Sequence, residues 1–107
     1  MSDTLERIKI LVEKGEIRIS EHGYEELAAD GLLAREVVDG LKGASVLEDY
    51  PEFHKGPSVL VLEEDRMGLP VHAVWGIPRG DQSPAVLVTA YRPDPERWTA
   101  NFSRRKK

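Results

Sequence analysis

The sequence predicts an α+β fold, with two or three N-terminal helices packed on a four-stranded antiparallel sheet. Three observations predict it. Apolar residues recur at helical spacing up to about residue 43 and alternate from Ala44 onward, so the period switches from 3.6 to 2. The run from Pro84 to Pro93 is the longest apolar stretch, rich in β-branched residues and apolar on both faces, which suits an interior strand. The later segments are joined by short turns, which gives an antiparallel meander.

Ser2 or Asp3 caps a first helix to about Lys14, with Leu5, Ile8, Leu11 and Val12 on one face and Gly15 as its stop. Asp3 and Glu6 sit at the positive end of its dipole and Lys14 at the negative end. Ile17-Arg18-Ile19 alternates over too few residues for a helix and reads as a short strand or an extended link. Ser20 caps a second helix to about Asp30, with Tyr24, Leu27 and Ala28 turned inward. A third spans about Ala34 to Lys42, with Leu33, Val37 and Leu41 as its stripe and Gly43 as its stop.

The four strands fall at 44–50, 58–64, 70–77 and 84–92. Pro51 ends the first, and Asp65-Arg66-Met67-Gly68 has turn chemistry. The last reads as the central strand, with Ala85, Leu87, Thr89 and Tyr91 on one face and Val86, Val88 and Ala90 on the other. Pro93-Asp94-Pro95 ends the sheet, and Trp98 and Phe102, four apart, fold back on it.

Residues 1–107 make one domain with a basic C-terminal tail from about residue 99. With no cysteine, the chain has no disulfide framework, thiolate nucleophile or Cys-based zinc site. The longest apolar run falls short of the about 20 residues that span a bilayer, so no membrane association is expected. The opening Met-Ser-Asp-Thr-Leu-Glu lacks the apolar core of a signal peptide, which makes the cytoplasm the expected location. The net charge of −4 is split. Residues 1–91 carry nine basic and seventeen acidic side chains, and residues 92–107 carry six and two. An acidic body repels a nucleic-acid backbone, whereas Arg104, Arg105, Lys106 and Lys107 either attract one or form a solvated terminus.

Phosphate loops, Gly-x-Gly-x-x-Gly, nucleophile elbows and His-Glu-x-x-His are absent from the sequence. His22, His54 and His72 show no paired ligand spacing, so neither a metal site nor a cofactor is expected. His72 is polar within an apolar strand. If Ile77 pairs with Pro84, His72 lies across from Thr89 and diagonal to Tyr91, as a proton-transfer group or as a hydrogen-bonded core histidine. His22, in the first turn of the second helix, either faces the sheet or caps and packs. Arg92 leaves the last strand beside Tyr91, ready for a phosphate or for a salt bridge to Asp94 or Glu96. Lys55 and Arg79 lie on loops, where sites concentrate, and are candidate nucleic-acid contacts along with the tail.

Several segments resemble a bacterial domain-of-unknown-function family, DUF4258. They are Ile19-Ser20-Glu21-His22, Leu33 to Leu41 followed by Gly43, Val46 to Tyr50, Val71-His72-Ala73-Val74, and Val88-Thr89-Ala90-Tyr91-Arg92-Pro93-Asp94. The similarity runs from about residue 17 to the C-terminus. It implies the fold of the RelE, ParE and BrnT toxins, and places His22, His72, Thr89 and Tyr91 at the family's recurrent polar positions.

Three functions follow as expectations. One is a toxin-related, metal-independent ribonuclease acting on RNA, with His72 or His22 as acid or base, Tyr91 orienting and Arg92 stabilising the phosphorane. The second is a non-catalytic module that binds a protein partner, such as an antitoxin or other basic protein, or a nucleic acid; the third is a housekeeping domain with a small-ligand pocket over the His72 face. Fold alone does not decide between them.

Overall fold

The computed structural model describes residues 2–98. The element order is α1 (Asp3–Glu13), β1 (Ile17–Ile19), α2 (Glu21–Ala29), α3 (Ala34–Gly40), a 3-10 turn (Leu41–Gly43), β2 (Ser45–Tyr50), β3 (Ser58–Glu64), β4 (Pro70–Gly76) and β5 (Ala85–Tyr91). The class is α+β, as the pattern predicts. The sheet, however, has five strands in the order β1-β5-β4-β3-β2, and it is mixed. The four expected strands pair antiparallel in sequence, but Ile17–Ile19 joins the edge parallel to β5. No hairpin fixes the direction of β1, because α2, α3 and three strands intervene. β1 instead follows the register that packs Ile17 and Ile19 against the core. The middle strand is therefore β4 rather than β5.

All three helices lie on one side of the sheet. Leu5, Ile8 and Leu11 of α1, Leu27 of α2, Val37 of α3 and Leu41 meet Val59, Val61, Ala73, Trp75, Ala85, Leu87 and Ala90 in one core. Ser2 caps α1 by accepting from the Leu5 N–H at 3.1 Å, satisfying one of the donors a helix start leaves unpaired.

The second helix turns differently from its apolar pattern. Tyr24 is 59% exposed and Ala28 is exposed, while Gly23 and Leu27 face inward. A Cβ at Gly23 would stand 2.9 Å from the Leu87 carbonyl, so α2 reaches β5 backbone to backbone through its glycine. The third helix is entered through buried Leu32, leaving Leu33 exposed.

Strand β5 carries a one-residue bulge. Thr89 pairs with Val74 and Leu87 with Trp75, which leaves Val88 as the extra residue. A bulge exchanges the faces beyond it. Ala85, Leu87 and Ala90 consequently point to the core, while Val86, Thr89 and Tyr91 point away from the helices. This replaces the single alternation expected across the strand. It also moves the register: His72 lies directly opposite Tyr91, and Thr89 is the diagonal neighbour.

Candidate functional site

The face of the sheet turned away from the helices holds a groove of about 420 Å³. One register row crosses it, Arg18–Val86–Gly76–Ser58–Tyr50, with one residue from each strand. The floor is low because Gly76 and Ser58 supply almost no side chain. A Cβ on Gly76 would already approach Ser58 Oγ to 3.1 Å. Val74, Val86, Val88, Ile77 and Pro78 make the walls apolar, and Tyr50 and Phe53 stand at one end. At five strands about 4.8 Å apart, the Arg18 and Tyr50 backbones lie about 19 Å from each other. Arg18 closes one side from β1, and Lys55 enters from the loop between β2 and β3.

That loop is held in place by the strand it crosses. The Ile77 N–H donates to the Pro57 carbonyl and the Arg79 N–H to the Lys55 carbonyl, both at 3.0 Å. The Arg79 guanidinium reaches the His54 carbonyl at 3.4 Å, and the His54 ring packs on Phe53 with centroids 4.5 Å apart. Arg79 is thus joined through its backbone to Lys55, which lines the groove, although Arg79 itself does not. Tyr50 donates its hydroxyl to Glu48 Oε1 at 2.6 Å, so one carboxylate shares this face.

The other sequence candidates are placed elsewhere. His72 is fully buried on the groove side of the sheet, two residues along β4 from Val74. Tyr91 lies edge-on to its ring at 5.5 Å and Trp98 at 4.3 Å, so Trp98, itself 7% exposed, covers it. His22 is exposed on α2 and pairs with Glu26 at 3.6 Å, away from His72.

Arg92 is committed to neither Asp94 nor Glu96. Its guanidinium binds Asp65 Oδ2 at 2.7 Å and the Pro70 carbonyl at 3.4 Å, and its backbone N–H donates to Asp30 Oδ2. Asp65 Oδ1 accepts from the Leu69 and Met67 N–H groups as well. The Leu69 bond, with Arg92 and the Met67 bond, holds the Asp65 carboxyl below its usual range against the opposing effect of burial. Arg92 is thus tied to the turn between β3 and β4. The tail candidates Arg104, Arg105, Lys106 and Lys107, with Phe102, lie outside the described residues.

On the helix side, Glu63 is 2% exposed, and neither of its oxygens has a hydrogen-bond partner among the described residues. Burial alone pushes its carboxyl up to about 8. Gly40 makes the room: a Cβ there would come 2.9 Å from Glu63 Oε1. Groups of three or more His, Cys, Asp or Glu side chains arranged to hold a metal ion are absent among the described residues. No helix among them is long and apolar enough to cross a membrane.

Arg18, Tyr50, Phe53 and Gly76 were not singled out by the sequence reading. Signals in the sequence exist for two of them, Arg18 and Gly76. Arg18 is the outward residue of an Ile-Arg-Ile alternation, and a glycine inside a strand pattern marks an unfilled position.

The family described as "Domain of unknown function (DUF4258)" matches residues 19–92. That span runs from the end of β1 through the last strand, and it includes the groove floor and His72 but not Arg18 or Trp98. No curated protein and no solved structure matches the chain.

Proposed function

The chain belongs to the DUF4258 family, and from the site it builds we propose that it is a non-catalytic binding module whose working surface is the open-face groove. The observation that carries this is the row Arg18–Val86–Gly76–Ser58–Tyr50, where each strand contributes one residue and the middle ones leave space. A concave apolar site of about 420 Å³ with a few polar groups at its edge is the form that small-molecule sites take.

The two histidines considered as acid or base, His72 and His22, support binding over catalysis. A general base must reach its substrate proton within hydrogen-bonding distance. His72 lies under Trp98, and His22 is paired on a helix surface. Arg92, the group assigned to a phosphorane, is engaged by Asp65.

A toxin-related ribonuclease of the RelE, ParE or BrnT kind is the second reading. What favours it is the layout of helices on one sheet face, with Lys55 lining the other and Arg79 bonded to the Lys55 backbone. An antitoxin or other basic partner would find its counterpart in the exposed acids of α1 and α2, among them Glu6, Glu13, Glu21 and Glu25.

The test is a screen of small soluble compounds by amide NMR shifts, beside incubation with labelled RNA. The proposal expects hits whose shifts gather on Arg18, Val74, Gly76 and Val86, and intact RNA. Hits scattered over the surface would count against the groove. RNA cleavage that disappears in His72→Ala would establish the ribonuclease instead.

A further inference from the structure

We propose that the groove takes a compact apolar acid: a small molecule with a flat or branched hydrocarbon body and a single anionic group. This rests on the groove being the binding surface.

The body is specified by the walls. Val74, Val86, Val88, Ile77 and Pro78 offer no strong hydrogen-bonding side chain, and the Gly76–Ser58 floor leaves a shallow slot suited to something flat. The aromatic end, Tyr50 and Phe53, favours ring stacking. These two rings are 47% and 44% exposed, so they are open to a ligand.

The anion is specified by two cations. Arg18 and Lys55 both line the groove, and neither side chain takes part in the ion pairs or side-chain hydrogen bonds found among the described residues. Arg66, Arg92 and Arg97, by contrast, are paired with Glu36, Asp65 and Asp94. Arg18 and Lys55 are exposed on different sides of the groove, and either one, uncommitted beside the apolar walls, is complementary to a single negative group.

A polyanion fits less well. Glu48, held by Tyr50 on this same face, would repel a second charge, and residues 1–91 carry a net −8 around it. The size argues for a free small molecule over a protein segment. A standard protein interface buries about 800 Å² on each partner, far more than this slot presents.

The experiment compares two dyes of the same skeleton. 8-Anilinonaphthalene-1-sulfonate carries one anion, and N-phenyl-1-naphthylamine carries none. The expected result is saturable binding of both at one site, with the sulfonate about tenfold tighter, as one charge-assisted bond would give. In Arg18→Gln with Lys55→Gln, the sulfonate should lose about that tenfold while the neutral dye stays unchanged. Val74→Trp should fill the slot and remove both. Val88→Trp serves the same purpose if Val74→Trp does not fold, as judged by circular dichroism. Equal affinity for the two dyes, or a glutamine variant that binds the sulfonate normally, would overturn the acid and leave the groove standing. Failure of both dyes, or binding that survives both filling variants, would overturn the groove itself and the acid with it.

Discussion

Ser20 Oγ donates to the carbonyl of Val88 at 2.7 Å and accepts from the Gly23 N–H at 2.9 Å. One hydroxyl therefore caps α2 and occupies the carbonyl that the β5 bulge takes out of the ladder. The neighbouring Leu87 carbonyl receives the Ser20 N–H at 3.0 Å, so β1 and α2 are fastened to β5 at the bulge.

Ser20→Ala should remove both bonds at once. The lost cap is worth about 1 kcal/mol and the stranded carbonyl about 1–3, so a loss of about 2–4 kcal/mol is expected in urea unfolding. Ser20→Thr, which keeps the hydroxyl, should recover most of it. A change below about 0.5 kcal/mol, the scatter of ordinary surface substitutions, would show that Ser20 does not hold the bulge.

Asp65 and Arg92 predict an acid limb in the stability curve. The folded carboxyl titrates below its ordinary 3.8, chiefly through the Leu69 N–H. A depressed carboxylate contributes stability that is complete above the unfolded value and is lost as pH falls through the folded one. Asp65→Asn should flatten the curve below about pH 4. Arg92→Ala should lower the melting temperature at pH 7 and leave groove binding intact, because the Arg92 guanidinium is engaged at the opposite end of β4. Loss of dye binding in a folded Arg92→Ala protein would contradict this placement.

Glu63 predicts the opposite slope at higher pH. The folded protein keeps this proton up to about pH 8, whereas the unfolded chain releases it near 4.5. Between those values the unfolded state binds fewer protons, so stability declines as pH rises. Glu63→Met removes the carboxyl and keeps its volume. It should stabilise the fold by on the order of 4 kcal/mol at pH 9 and much less at pH 5. Parallel stability curves for the two proteins from pH 5 to 9 would refute the raised value.

Trp98 is the cover over His72. Trp98→Ala should destabilise the domain by about 3–5 kcal/mol, the range for truncating a large buried aromatic. It should also open the His72 ring to solvent, read as faster exchange and new contacts of the imidazole protons in NMR. Unchanged stability would show that Trp98 contributes nothing to the core.

The sequence by itself determined the elements and most of their bounds. Ser2 and Ser20 cap helices, Gly15 follows the first, and the switch of period at Ala44 opens the strands. These are local effects, set by hydrogen bonding and burial within a few residues. It also located polar residues on the right strands, and His72 does share a face with Thr89 and Tyr91.

Only the tertiary structure decided how those residues meet. The Val88 bulge has no marker in an apolar run of small and branched residues, yet one extra residue reassigns every side chain beyond it. The parallel pairing of Ile17–Ile19 with Ala85–Leu87 joins segments more than sixty residues apart, through core packing that leaves no local trace. Arg92 finds Asp65 instead of Asp94 or Glu96 because the β3–β4 turn folds up beside the end of β5. The groove is the clearest case. Arg18, Val86, Gly76, Ser58 and Tyr50 are ordinary residues along the chain, and they become a site because strand order and register set them in one row.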